Sequence, residues 1–357
     1  MSCPSQWSEP IVQVQMLSEA ENQVIPNRYI KPLTERPCIT RSNDNLNIPV
    51  IDLFGLINGD NATQKAIMDE ISIACREWGF FQVVNHGIND ELVDEVREVW
   101  REFFHQPIEV KQEYANTPKT YEGYGSRIGI QKGAILDWSD YYFLNYLPSN
   151  LKDHKKWPSQ PPFLRDTTEE YSKKIVKLGK IMLKVFSSNL GLQKDYLQNA
   201  FGGDDIGACL RVNIYPKCPQ PDLTLGLSSH SDPGGMTFLL PDEHVSGLQV
   251  RKDGEWITVK PAPHAIIVNI GDQIQVLTNA IYKSVEHRVI VNPNKERVSL
   301  AYFFNPKSDV LIEPATELVT LKTPALYQPM TFDDYRRFIR IKGLHGKSQV
   351  DSLKSQR

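Results

Sequence analysis

The sequence predicts a mixed α and β fold in which a helix-rich first part precedes a compact β unit. Two observations carry this. The apolar spacing changes near residue 205 from steps of three and four to short β-rich runs. Those runs, at 209–215, 223–230, 235–240, 247–251, 256–260, 265–269, 281–291 and 296–304, are separated by Pro, Gly, Asn and Asp, the pattern of a sandwich or jelly-roll barrel.

Residues 1–47 are polar and Pro-containing and read as an extended arm with one short helix. Residues 48–53 form a first short strand. Ala66, Ile67, Ile71, Ile73 and Ala74 fall on roughly one side of a helix over 62–77. Residues 78–87 combine a Gly break with aromatic and β-branched residues and predict a strand ending in a turn. Helices follow at 90–104 and 107–114. Tyr171, Ile175, Leu178, Met182, Val185, Phe186 and Leu190 recur at helical spacing, so 167–191 is a long helix that supports a sheet. A final helix at 331–342 has Thr331 as N-cap, Asp334 in the reciprocal position and Gly343 just past its end.

Of the 357 residues, 40% are apolar and 10% aromatic, which suits a globular chain with a sizeable core. The net charge of −3 lacks the basic excess of a nucleic-acid binder. There is no apolar run of about 18 residues to span a membrane, and Met1 to Pro10 has no basic-then-apolar leader pattern. Cys3, Cys38, Cys75, Cys209 and Cys218 are scattered, without metal-type spacing, and read as reduced thiols. The expectation is a cytoplasmic monomer with access to the nucleus and no nucleic-acid or membrane partner.

His230-Ser231-Asp232 is the most informative tripeptide. Residues two apart on a strand point the same way, so one imidazole and one carboxylate can reach a single ion. His287 comes 55 residues after Asp232, and in a barrel that separation permits the two strands to face each other across the interior. Two His and one carboxylate leave positions open on the metal, the ligand set of non-haem iron(II) oxygenases. Zinc hydrolases use similar ligands. His86, His105, His154, His244, His264 and His345 have no comparable partner and read as structural or solvent-facing, His86 as a packing residue. Ser231 should point away from the metal.

Arg297-Val298-Ser299 places a guanidinium and a hydroxyl on one face of an otherwise apolar strand. An Arg fork matches a carboxylate with two parallel hydrogen bonds. A buried Arg needs an anion, which is either a bound carboxylate or one of the chain's own acids.

Taken together, His230-x-Asp232, His287 and Arg297-x-Ser299 resemble the plant 2-oxoglutarate/iron(II)-dependent dioxygenases. Ile48-Pro49-Val50-Ile51-Asp52, the segment 78–87 and Asn213-x-Tyr215-Pro216-x-Cys218-Pro219 extend the likeness over about residues 10–345. The resemblance implies a double-stranded β-helix (jelly-roll) core flanked by helices. It divides the chain into an N-terminal region, 1–204 (dioxygenase N-terminal domain about 48–160, plus the support helix 167–191), the core, 205–310, and a C-terminal helix and tail, 311–357. It also implies Fe(2+) on His230, Asp232 and His287, and 2-oxoglutarate held by Asn213, Tyr215, Arg297 and Ser299. Molecular oxygen is consumed, 2-oxoglutarate becomes succinate and the substrate is hydroxylated, with ascorbate supporting activity.

Within that family the segments 120–127, 137–143 and 331–340 are most similar to the jasmonate-induced oxygenases, also called jasmonic acid oxidases. The resemblance implies hydroxylation of jasmonic acid to 12-hydroxyjasmonic acid, which attenuates jasmonate signalling in plant defence. An acidic substrate agrees with the residues themselves. Arg336 and Arg340 lie four apart on one helix face, with Arg337 pointing elsewhere. Arg211 interrupts the strand 209–215 on the face of Asn213. These arginines would clamp a carboxylate, with Phe143 and Phe303 covering the apolar ring and tail. Plainer readings put the helix arginines in solvent or against surface acids, and Phe143 in the core. The competing functions are a flavonoid dioxygenase of the flavonol synthase or anthocyanidin synthase type, and a non-catalytic small-molecule-binding protein on the same fold.

Overall fold

The structure, a computed structural model, describes residues 7, 9–20, 23–37, 46–344 and 346–354, and for Phe338 and Lys342 only the backbone. Cys3, Cys38 and His345 lie outside the described residues. The arm carries α1 (Val14–Glu19) and leads to β1 (Val50–Asp52), α2 (Phe54–Asn58), α3 (Asn61–Glu77), β2 (Phe80–Val84), α4 (Asp90–Phe104) and α5 (Ile108–Gln112). There follow β3 (Gly123–Gly125), β4 (Asp140–Leu147), α6 (Leu164–Asn189) and α7 (Tyr196–Ala200). The β-rich part comprises β5 (Gly207–Tyr215), β6 (Leu227–His230), β7 (Met236–Leu240), β8 (Leu248–Lys252), β9 (Glu255–Thr258) and β10 (Ile266–Ile270). Then come α8 (Asp272–Leu277), β11 (His287–Val289), β12 (Arg297–Asn305), β13 (Leu311–Ile312), β14 (Met330–Thr331), α9 (Phe332–Lys342) and α10 (Ser348–Ser352).

An eight-stranded sheet runs β1-β2-β10-β7-β12-β5-β4-β3, and a four-stranded sheet runs β6-β11-β8-β9. This is the mixed α and β jelly-roll expected. The large sheet recruits β1 to β4, so it crosses residue 205 without a break. One of its faces is apolar throughout. Leu210, Val212, Ile214, Val268, Phe238, Leu300, Tyr302 and Phe304 are buried there in one core with Trp100 of α4 and Leu178, Met182 and Phe186 of α6. Trp100 donates its indole N–H to Thr168 Oγ1 at 3.1 Å and joins the two helices. The opposite face looks toward the small sheet.

Two expectations need correction. The run 281–291 is a strand only at His287–Val289, because Asn279 and Ala280 take positive φ and residues 281–286 follow an irregular path. The run 223–230 begins as a turn at Pro221–Leu223 and pairs only from Leu227. Strands β3 and β4 and helix α8 were not anticipated. α9 has the expected cap: the Asp334 N–H donates to Thr331 Oγ1 at 3.3 Å, and Gly343 follows with φ of 83°. Among the described residues no helix is long and apolar enough to cross a membrane.

Gly179 sits mid-helix on α6, where Gly ordinarily weakens a helix. A Cβ there would lie 2.2 Å from the Phe304 ring, so its absence sets how closely α6 approaches the sheet. Gly179→Ala should therefore destabilise by about 1–3 kcal/mol despite alanine's better helix propensity, as read by urea unfolding.

Candidate active site

The three metal-ligand candidates converge. His230 ends β6 and His287 begins β11, and they are direct register partners in the small sheet. They are thus neighbours on adjacent strands and do not face each other across the interior, which the spacing also permitted. Asp232 lies two residues beyond the end of β6, where the chain turns through Pro233, Gly234 and Gly235 into β7. That turn, with no strand alternation at Asp232, swings the carboxylate to the imidazoles. Asp232 Oδ1 is 3.5 Å from His230 Nε2 and 3.6 Å from His287 Nε2. All three side chains are buried, and their ligand atoms lie within 4.8 Å of one another, close enough to hold one metal ion.

The ring orientations suit a metal. His230 Nδ1 lies 2.8 Å from the Ser228 carbonyl and His287 Nδ1 3.2 Å from the Val285 carbonyl. Each Nδ1 therefore carries a proton, and each Nε2 is the ring nitrogen that faces the centre. Burial, with His230 beside it, pushes the His287 imidazole down to about 4, so the ring is neutral at physiological pH. Burial acts to raise the Asp232 carboxyl, but the two imidazoles and the Asn269 amide outweigh it and hold the group well below the usual carboxylate range. Asp232 Oδ2 accepts hydrogen bonds from Thr237 Oγ1 and, at 2.8 Å, Asn269 Nδ2. These leave Oδ1 for the metal. Ser231 turns away, donating to Asp272 Oδ2 at 3.1 Å. Phe80 meets the His287 ring edge-on at 5.2 Å.

The remaining candidates stand in rows across the large sheet. The pairing of β12 with β5 sets Arg297 opposite Tyr215, Ser299 opposite Asn213, Ala301 opposite Arg211 and Phe303 opposite Cys209. β4 adds Tyr141 beside Asn213 and Phe143 beside Arg211. All of these line one cavity of about 900 Å³ together with His230, Asp232, His287, Arg336 and Arg340. Arg337 is exposed, as expected.

Arg297 is 3% exposed and forms no ion pair among the described residues; its Nη1 donates to Ser299 Oγ at 3.2 Å, its Nε is buried without a partner, and its guanidinium lies over the Tyr215 ring. A buried guanidinium with an unused donor at the end of a cavity fits a ligand carboxylate. Arg211 is similar. Its Nε donates to Asn213 Oδ1 at 2.7 Å and its guanidinium stacks 4.0 Å over the Tyr141 ring, with no acid paired to it among the described residues. Arg336 differs, because it pairs with Asp333 at 2.7 Å and donates to Ser308 at 2.8 Å. That is partly the plainer reading, although the residue still borders the cavity.

Several contributors escaped the sequence reading. Thr237 and Asn269 orient Asp232, and Tyr141 supports Arg211. A Cβ on Gly247 would meet Arg297 Cδ at 3.0 Å, so that glycine makes room for the guanidinium stem. Only the register between strands reveals these partners.

Thr237→Val keeps the shape of the side chain and removes one donor to Asp232. Its affinity for Mn(II), followed by electron paramagnetic resonance, should fall about 10–100-fold while the fold persists.

The chain matches the 2OG-Fe(II) oxygenase superfamily over residues 206–306 and the non-haem dioxygenase in morphine synthesis N-terminal family over 48–160. It is 62% identical to jasmonate-induced oxygenase 2 of Arabidopsis thaliana over 353 residues, covering 99% of this chain and 95% of that protein. Flavanone 3-dioxygenase 2 of Oryza sativa subsp. japonica is 39% identical, over 90% of this chain and 92% of its own length. The crystal structure of JOX2 in complex with 2OG, Fe and JA superposes with a TM-score of 0.92 at 62% identity, covering 98% of this chain and all of that one. With a metal-ligand cluster and a buried arginine that no acid pairs among the described residues, in the matching fold, the chain belongs to the 2OG-Fe(II) oxygenase superfamily and, within it, to the jasmonate-induced oxygenases, enzymes that use iron(II) and 2-oxoglutarate.

Proposed function

We propose that the enzyme hydroxylates jasmonic acid at the end of its pentenyl chain, giving 12-hydroxyjasmonic acid and attenuating jasmonate signalling in plant defence. The observation that carries this reading is Arg211, a guanidinium inside the cavity that no acid of the protein neutralises among the described residues. A substrate carboxylate supplies the missing charge, with Arg336 and Arg340 at the same cavity. Phe143 and Phe303 lie in the row of Arg211 and the next row, and they cover the apolar ring and tail.

One and two cavity-facing rows further along the same strand pair, Ser299 and Arg297 hold the distal carboxylate of 2-oxoglutarate, helped by Asn213 and Tyr215. His230, Asp232 and His287 hold iron. When bound, iron and 2-oxoglutarate let molecular oxygen be split between succinate and a hydroxylated C–H bond, with carbon dioxide released. The chain's own contribution is to orient both acids and to keep water out, through the aromatic and aliphatic walls formed by Phe80, Leu239, Leu248 and Leu344.

The flavonoid alternative is weaker because a neutral polyphenol leaves Arg211 without an anion. A purely binding role is weaker because His230, Asp232, His287, Arg297 and Ser299 are all present and line one cavity. Cys75, Cys209 and Cys218 are free thiols, which suits a reducing cytoplasmic or nuclear setting. The same reading has the enzyme acting as a monomer, with ascorbate supporting turnover.

Purified protein supplied with iron(II), 2-oxoglutarate and ascorbate should convert jasmonic acid, and not a dihydroflavonol, to a product 16 mass units heavier (one oxygen atom, roughly, by mass spectrometry) with matching succinate. The opposite preference would overturn the assignment. Arg297→Lys should raise the KM for 2-oxoglutarate at least about tenfold, since a point charge replaces a planar fork. Arg336→Ala combined with Arg340→Ala should cut kcat/KM for jasmonic acid by about 100-fold and leave metal affinity intact; unchanged kinetics would remove these two residues from the clamp.

A further inference from the structure

Tyr335 precedes Arg336 on α9, but its side chain turns inward and is 1% exposed. Its hydroxyl donates to Asp272 Oδ2 at 2.6 Å. Asp272 is itself 1% exposed and sits at the start of α8. It also accepts from Ser284 Oγ at 2.7 Å and from Ser231 Oγ at 3.1 Å, and its N–H donates to the Asp232 carbonyl at 2.8 Å. Ser231 separates two metal ligands, and Ser284 lies three residues before the third. One carboxylate therefore touches both ligand-bearing segments and the helix that carries the cavity arginines.

The chain after α9 repeats the connection. Gly346 donates its N–H to the Ser229 carbonyl at 2.9 Å and accepts from the Ser231 N–H at 3.2 Å, beside His230. Lys347 Nζ donates to the Ser284 carbonyl at 2.6 Å and to Gln275 Oε1 at 3.1 Å. An eleven-residue helix is marginal without tertiary contacts, so α9 owes its placement to ties such as these.

We propose that Tyr335 is a positioning residue: through Asp272 it fixes the arginine helix relative to the metal ligands and so sets which carbon of a bound acid faces the metal. The proposal rests on the acid-hydroxylase reading above. A Phe at 335 keeps the packing, leaves Asp272 two hydroxyl donors and frees the helix from the hydroxyl that ties it to the metal segments.

Full-length Tyr335→Phe is compared with wild type in the complete assay with iron(II), 2-oxoglutarate, ascorbate and jasmonic acid. The ratio of hydroxylated product to succinate should fall several-fold, the KM for the acid should rise about tenfold, and product hydroxylated at a neighbouring carbon should form. The KM for 2-oxoglutarate and the affinity for Mn(II) should not change. Amide hydrogen exchange in α9 should quicken about tenfold while that of β6 and β11 stays as it was. Tyr142→Phe removes another buried tyrosine hydroxyl, one bound to the Lys156 carbonyl on the helix-facing side of β4, and should move none of these readouts.

Wild-type ratio, regiochemistry and α9 exchange in Tyr335→Phe would overturn the proposal. So would a parallel loss of metal and 2-oxoglutarate binding, which marks a merely structural role. If the wild-type enzyme oxidises no acid, the hydroxylase reading fails by itself, and the exchange measurement still decides whether Tyr335 holds the helix.

Discussion

The nine-residue pairing of β5 with β12 is the constraint on which the active site depends. Side chains alternate across a strand, so one register turns Leu210, Val212, Ile214, Val298, Leu300, Tyr302 and Phe304 toward the helices. The same register turns Arg211, Asn213, Tyr215, Arg297 and Ser299 toward the cavity. A slip of a single residue on either strand would exchange the faces and drive guanidinium groups into the helix layer. The apolar face thus specifies where the polar face stands. Burial of each of those large apolar side chains is worth about 1.5–3 kcal/mol, and desolvating a charge in the wrong layer costs several more, so alternative registers are strongly disfavoured.

The polar face is left electrostatically incomplete. Arg297 and Arg211 are held by hydroxyl, amide and aromatic partners, none of which carries negative charge. The metal-ligand cluster has the converse character: one carboxylate kept ionised beside the neutral His287 imidazole. A cation and carboxylate ligands complete both parts. The protein folds around the sites of its ligands, and each ligand should stabilise the folded chain in proportion to its affinity.

Much of this was legible in the sequence because it rests on spacing. The apolar stripe of α6 is long enough for its period to be unmistakable, and the limits 167–191 differ from Leu164–Asn189 by no more than three residues at either end. His230, Asp232, Arg297 and Ser299 are separated by two, and proximity follows for such pairs whether or not the strand continues. β4 was opaque because Tyr141, Tyr142, Phe143, Leu144, Tyr146 and Leu147 make a nearly continuous apolar run, so the alternating burial of Tyr142, Leu144 and Tyr146 has no polar–apolar counterpart in the sequence. α8 is buried on every side and only six residues long, too short for a period to show. The pairing of His230 with His287 was not legible because sequence distance does not say whether two strands are adjacent or opposed. Thr237, Asn269, Gly247 and Tyr335 act across the fold, through partners far away in the chain.

β6, which ends in a metal ligand, is the edge strand of the small sheet, and Gly346 occupies its otherwise open side. Bare sheet edges recruit foreign strands, so the backbone at Gly346 shields the iron-bearing edge from unwanted pairing. Clipping the chain just after α9, or grafting a bulky fusion there, would therefore act at the catalytic centre as well as at the periphery.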